Sequence, residues 1–168
     1  LMKEMWKEVL KVELKTPFVK LSWSDAMNRF GSDKPDLRYS LEFCDVTELM
    51  KKSDFNVYKD VISAGGIVKC LKVEGAADKY SRNDIDSLIE LAKTHHAKGL
   101  SWMKIKNGKP ESSITKYFSE ELLQKLIGET KAKDNDLLFF VADKFNVACT
   151  SLGQVRIDVA KKLSLIKD

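Results

Sequence analysis

The sequence predicts an α+β protein: a two-layer sandwich with a mainly antiparallel sheet of about four strands and helices packed on it, plus an N-terminal helical segment. Three observations carry this. After residue 64 the apolar periodicities run strand, helix, strand, strand, helix, strand, helix. Asn107-Gly108 sits between two of the strands, and Asn-Gly is a strong two-residue hairpin signal. Leu137 to Ala142 is apolar at every position, as a central strand covered on both sides would be.

In chain order, Met2, Met5, Trp6, Val9 and Leu10 recur at helical spacing and define an amphipathic helix whose stripe is expected to pack on the core. Glu4 and Lys7 lie on its opposite face. Thr16-Pro17 breaks it, Val19 to Trp23 reads as extended, and Ser24 is the expected N-cap of a short helix from Asp25 to Phe30. The two helices together read as a hairpin. Gly31 to Arg38 then interrupts: Gly31 permits a positive φ, Pro35 fixes its own φ, and its ring pushes Lys34 out of the helical region. The charges of Asp33, Lys34, Asp36 and Arg38 are too close for a buried strand, so this is a turn that pairs its own charges or presents them to a neighbour.

Asp45-Val46-Thr47-Glu48 is a capping-box variant that starts a helix through Leu49 to Lys52. Ile67 to Val73 is the first clear strand, bounded by Gly65-Gly66 and Gly75. Ser81 to Asp84 opens a helix with a stripe of Ile85, Leu88, Ile89 and Ala92, ending near His95 and stopped by Gly99. Leu100 to Lys106 is the next strand, expected to turn back at Asn107-Gly108 toward a partner at Ile114 to Phe118. Ser119-Glu120-Glu121 caps a helix whose Leu122, Leu123, Leu126, Ile127 and Thr130 face inward. After the central strand, Asp143 to Asn146 reads as a turn and Val147 to Cys149 as a short strand. Ser151 with Gln154 then caps a last helix carrying Leu152, Val155, Val159, Ala160 and Leu163.

The 168 residues suffice for one domain with a core, and 43% hydrophobic with 32% charged residues is a globular balance. A formal charge of +4 tilts the chain only slightly toward anionic partners. Three cysteines, odd in number and far apart, read as free thiols of a reducing compartment, hence a cytoplasmic protein. No run is long enough for a membrane span, and no export signal opens the chain. Leu1 in place of Met reads as a piece of a longer parent.

Catalytic signals are absent. His95 and His96 are adjacent and point about 100° apart on a helix, so they do not form an i, i+4 metal clamp. There is no P-loop, G-x-G-x-x-G or G-x-S-x-G, and the carboxylate pairs Asp33 with Asp36 and Asp84 with Asp86 suit turns and caps. No catalytic, cofactor-binding or metal-binding residue is assigned. A scatter of basic and aromatic residues remains, from which Lys79, Arg82, Lys104 and Lys116 are the candidate RNA contacts, with solvated edge lysines as the competing reading.

Six ordered motifs resemble one family. They are Gly31-Ser32-Asp33-Lys34-Pro35-Asp36-Leu37-Arg38, Leu41-Glu42-Phe43-Cys44-Asp45-Val46-Thr47, Lys98-Gly99-Leu100-Ser101-Trp102, Ser113-Ile114-Thr115-Lys116-Tyr117-Phe118, Asp136-Leu137-Leu138-Phe139-Phe140-Val141-Ala142-Asp143 and Leu152-Gly153-Gln154-Val155-Arg156. Together they are similar, essentially end to end, to bacterial-type aspartyl-tRNA synthetases.

The resemblance implies a parent that activates aspartate with ATP and Mg²⁺, esterifies its tRNA and works as a homodimer. It places this chain between the second and third class II signature motifs, neither of which has a match here. Residues 1–38 then belong to the catalytic domain, with Gly31, Asp33, Lys34, Pro35, Asp36 and Arg38 as the junction motif; 39–163 form a GAD-like insertion; 164–168 begin the return. The partners implied are the remainder of the catalytic domain and tRNA. The fragment alone is expected to lack aminoacylation activity. Two alternatives are the GAD domain of a tRNA-dependent amidotransferase subunit and a structural spacer that touches no RNA.

Overall fold

The computed structural model describes residues 1–166, so of the expected C-terminal return at 164–168, positions 167 and 168 lie outside the described residues. Five strands form one sheet: β1 (Phe43–Asp45), β2 (Ile67–Val73), β3 (Ser101–Lys106), β4 (Lys109–Glu111) and β5 (Leu137–Asp143). Their order is β1-β2-β5-β3-β4, and every pairing is antiparallel. The α+β class and the antiparallel sheet with helices packed on it are therefore as the sequence predicts.

β5 lies at the centre and is buried along its whole length. Its alternation feeds two cores. Leu137, Phe139 and Val141 join Leu71 and Val73 of β2 on one face; Leu138, Phe140 and Ala142 join Val68 and Cys70 on the other. The first face is closed by α5 (Arg82–Thr94) and α7 (Phe145–Lys162), which bring Ile85, Leu88, Ala92, Leu152, Val155 and Val159. The second is closed by α3 (Thr47–Met50), α4 (Asn56–Ser63) and α6 (Glu120–Thr130), through Leu49, Met50, Tyr58, Val61, Leu122 and Leu126.

Local chemistry explains where elements begin. Ser81 Oγ accepts from the Asp84 N–H while Asp84 accepts from the Ser81 N–H, a reciprocal capping box. Ser119 caps α6 through the Leu122 N–H. Asn107 and Gly108 take φ of 51° and 71°, as a primed two-residue turn requires, and Lys106 pairs with Lys109 across it.

Several expectations fail for identifiable reasons. α1 (Met2–Leu10) is where its periodicity puts it, yet none of its residues is buried, so no core covers its stripe and the expected hairpin packing does not form. α2 (Trp23–Phe30) starts earlier than expected because Ser22, not Ser24, is the cap: Ser22 Oγ accepts from the N–H of Asp25, three residues on. α5 ends at Thr94, and His96, with φ 71°, makes the reversal assigned to Gly99.

β4 stops at Glu111, and the stretch expected as strand at Ile114 to Phe118 holds a 3-10 turn over Thr115–Tyr117. There Ser112 captures the chain locally, its carbonyl accepting from Thr115 Oγ1 and its Oγ from the Ile114 N–H. The largest departure is at the last helix. Val147 to Cys149, read as a strand, lies inside α7, and Ser151 donates to the Val147 carbonyl at 2.6 Å instead of capping. Burial of Ala148 in the core against the sheet and of Cys149 beside Gly31 outweighs their weak strand preference. Neither β1, a strand of only three residues, nor α4 is expected from the sequence, although Val57, Tyr58, Val61 and Ile62 recur in α4 at helical spacing.

Candidate functional site

The turn that begins at Gly31 is built on α2 and α7. Gly31 ends α2 with φ 72°, its N–H bonded to the Met27 carbonyl. A side chain there would strike the Cys149 carbonyl oxygen and stand 2.9 Å from the Phe43 ring; one on Gly153 would stand 2.8 Å from the Gly31 carbonyl oxygen. Glycine at both positions lets the end of α2 lie backbone to backbone on α7. Positive φ is thus only half of the reason for Gly31.

Asp36 and Arg38 close the turn on itself. The Arg38 backbone N–H donates to Asp36 Oδ1 at 3.0 Å, and its guanidinium reaches both carboxylate oxygens, Nη2 to Oδ2 at 2.7 Å. These bonds hold the Asp36 carboxyl at about 2, well below its ordinary 3.8. Asp33 and Lys34 are exposed, and the Lys34 N–H is held by Ser32 Oγ at 3.1 Å. Pro35 is half-buried. Arg29 of α2 forks onto Glu42 with both oxygens at 2.8 Å, a second tie across the same turn.

The group that organises the segment after the turn is Arg156 of α7, only 2% exposed. Its Nε donates to the Leu41 carbonyl at 2.6 Å, Nη1 to the Tyr39 hydroxyl at 3.1 Å, and Nη2 to the Asp36 and Tyr39 carbonyls at 2.8 and 3.2 Å. The guanidinium also lies 4.2 Å from the Tyr39 ring centroid and 4.9 Å from that of Phe30. Burial lowers its pKa, opposed by Tyr39, Asp36 and Glu42. Sequence reasoning gave Arg156 no role, although a cation four residues from Leu152 and four from Ala160, on the apolar stripe of a helix, is a signal for a buried, fully partnered arginine.

A smaller buried polar group lies nearby. Lys69 of β2, 3% exposed, reaches Asp45 Oδ2 and Asn28 Oδ1, each at 3.1 Å, joining two strands to α2.

The four candidate RNA contacts are not brought to one place. Arg82 and Lys104 share a cleft of about 270 Å³ with Trp102, Lys106 and Ser112. Within it Arg82 pairs with Asp86 and lies over the Trp102 ring at 5.7 Å, while Lys104 Nζ donates to the Tyr80 carbonyl at 2.7 Å. Lys79 lines a separate groove of about 610 Å³ together with Arg38, Leu41, Lys72 and Leu165. Lys116 borders a third, about 320 Å³, with its ammonium 5.1 Å from the Tyr117 ring centroid. Three of the four cations, Arg82, Lys104 and Lys116, are already engaged by the protein.

Among the described residues no group of three or more His, Cys, Asp and Glu is placed to hold a metal ion, and no helix is long and apolar enough to cross a membrane. The conspicuous carboxylates cap helices or close turns. What the fold presents is a sheet-based module whose best-built polar feature is the anchorage of residues 36–41 on α7 through Arg156.

The chain belongs to the GAD domain family, whose profile matches residues 58–152. Over its full length it is 44% identical to the aspartate--tRNA ligase of Clostridium perfringens (strain SM101 / Type A), covering 28% of that protein. Over 163 residues, 97% of this chain, it is 45% identical to the aspartate--tRNA(Asp/Asn) ligase of Thermodesulfovibrio yellowstonii, covering 27% of it. The aspartate--tRNA ligase of Halalkalibacterium halodurans matches at 42% over all 168 residues. The chain thus spans a little over a quarter of the length of these relatives.

Proposed function

We propose that this chain is the insertion-bearing part of an aspartate--tRNA ligase, a class II aminoacyl-tRNA synthetase that activates aspartate with ATP and transfers it to tRNA. The observation that carries the reading is identity of 42–45% to such enzymes over nearly every residue of the chain. In this reading residues 1–38 belong to the catalytic domain, 39–163 are the insertion, and 164–168 lead back.

The exposed stripe of α1, with Trp6 and Val9, fits a segment whose partner surface is supplied by the rest of the parent. The module's role is to brace the catalytic domain through the junction motif of Gly31, Asp33, Lys34, Pro35, Asp36 and Arg38. In this reading ATP and Mg²⁺ are bound by the remainder of the parent. The parent is then a cytoplasmic homodimer.

Exchanging this segment for its counterpart in the Clostridium perfringens enzyme tests the assignment. A soluble chimera that aminoacylates tRNA is expected; a soluble, folded chimera without activity overturns it. The isolated chain is expected to give no aspartate-dependent exchange between ATP and pyrophosphate.

A bracing role without RNA contact is the second reading, and the dispersal of Lys79, Arg82, Lys104 and Lys116 over three clefts favours it. Tight tRNA binding whose affinity falls linearly with the logarithm of salt concentration points instead to assistance in holding the acceptor arm. Flat, weak binding at low salt supports bracing alone.

A further inference from the structure

Cys44 and Cys70 are direct cross-strand partners in the antiparallel ladder of β1 and β2. The Val46 N–H donates to the Val68 carbonyl at 3.0 Å, and counting two residues along each strand makes Cys44 and Cys70 a hydrogen-bonded pair of the same register. Such pairs hold their Cα atoms about 5.5 Å apart, inside the span of about 4.4–6.8 Å that a disulfide bridges. The Cβ atoms lie near the wide end of the cross-strand range of about 4.5–5.5 Å, so closing the bridge draws β1 about 1 Å toward β2. Their side chains share one face: Cys70 is a fully buried member of the core beneath α3, α4 and α6, and Cys44 packs against that core while remaining partly open.

We propose that Cys44 and Cys70 form a reversible intramolecular disulfide under peroxide stress, with Cys44 as the attacking thiol and Cys70 as the resolving one. Cys149 is the third thiol of the chain, buried under α2 on the opposite face of the sheet, and takes no part.

The step balances with hydrogen peroxide as oxidant. The Cys44 thiolate attacks one peroxide oxygen, the O–O bond breaks, and the departing hydroxide takes up a proton to leave as water. Cys44 is now a sulfenic acid. The Cys70 thiol gives up its proton and attacks Cys44 Sγ; the S–O bond breaks and a second water leaves. Two thiols are oxidised to one disulfide and one peroxide is reduced to two waters.

The surroundings set the pace. Burial raises the Cys44 thiol above its ordinary pKa, with Glu129 of α6 and the adjacent Asp45 adding to the effect and Lys69 opposing it. Cys70 is raised further, again chiefly by burial, with Cys44 adding and Lys72 opposing. The thiolate population at neutral pH is therefore small, and the pair answers sustained oxidation slowly instead of acting as a fast sensor. Once formed, the bridge ties the edge strand β1 to β2 and closes a loop that contains α3 and α4.

The test treats the native 168-residue chain with hydrogen peroxide, removes the oxidant, alkylates the remaining thiols in denaturant and measures intact and peptide masses. One intramolecular disulfide joining the Cys44 and Cys70 peptides is expected, with Cys149 alkylated and the bridge reversed by dithiothreitol. Cys149→Ala should behave identically, and the oxidised chain should melt several degrees higher than the reduced one. In Cys70→Ala, Cys44 should stop at the sulfenic acid and be captured by dimedone. Three outcomes overturn the proposal: three alkylated thiols after exposure, Cys44 driven to sulfinic acid while Cys70 is alkylated, or a bridge that involves Cys149 or a second chain. The wild-type mapping is decisive even if the Cys70 variant folds poorly, and it does not depend on the synthetase assignment.

Discussion

Gly153 and Gly31 meet backbone to backbone: an ideal Cβ on Gly153 would stand 2.8 Å from the Gly31 carbonyl oxygen, with no flexible side chain between them to yield. Overpacked interiors cost about 1–3 kcal/mol, so Gly153→Ala is expected to lower stability by about that amount in urea denaturation. Gly31→Ala should cost more, since it combines a positive φ with a clash against the Cys149 carbonyl. Equal or greater stability of either variant would show that the α2–α7 contact is looser than this geometry requires.

Arg156 satisfies three backbone carbonyls and one hydroxyl in the segment from Asp36 to Leu41. Arg156→Met keeps much of the volume but orphans those acceptors, and removing one partner from buried groups of this kind costs about 1–3 kcal/mol or more. Arg156→Lys keeps the charge but loses the planar fork and its stacking on Tyr39 and Phe30, so it should recover only part of the loss. Hydrogen exchange should report the damage first in residues 36–41.

Acid should loosen the turn between α2 and β1. The Asp36 carboxyl is held at about 2 against an ordinary 3.8, and Glu42, bonded by Arg29, is lowered as well. A carboxylate with a depressed folded pKa contributes stability that is fully present above its unfolded value and lost as pH falls through the folded one. Stability contributed by Asp36 is thus complete above about pH 4 and fades toward pH 2. Asp36→Asn should flatten that part of the acid profile, and NMR titration of the Asp36 carboxyl should place its midpoint near 2. A midpoint close to 4 would remove the basis for the effect.

Arg38 is exposed and closes its turn on Asp36, so Arg38→Ala should leave the melting temperature of the isolated chain within a few degrees of wild type. In the Clostridium chimera the same change is expected to lower aminoacylation by loosening the angle of the insertion. Wild-type activity in that chimera, with unchanged geometry, would count against the bracing role.

Ser81→Ala removes one half of a capping box whose acceptor partner, Asp84, is also paired with Lys162 of α7. A loss of about 1 kcal/mol is expected from the cap alone. Loss of helical signal confined to the first turn of α5, measured by hydrogen exchange, would locate it.

Much of the fold was legible in residue patterns alone. The seven residues of β2, the capping box at Ser81, the Asn107-Gly108 hairpin and the double-faced apolar run of β5 all follow from local chemistry, because backbone preference and side-chain period there agree with the tertiary demand. The motif from Gly31 to Arg38 was legible as a turn for the same reason, whereas which of its charges pair, Asp36 with Arg38, came from the structure.

Only the tertiary structure decided the rest. The extension of α7 back to Phe145 depends on the sheet it covers, and the three-residue β1 exists only because β2 offers it a ladder. No residue of α1 is buried although its stripe has helical spacing, and periodicity alone does not record whether a stripe is covered. Arg156 gained its role from acceptors more than a hundred residues away, and Gly31 its second constraint from α7. Local sequence determines which conformations each segment prefers, whereas burial and long-range partners select among them. That selection turned a charged turn into a segment anchored on α7.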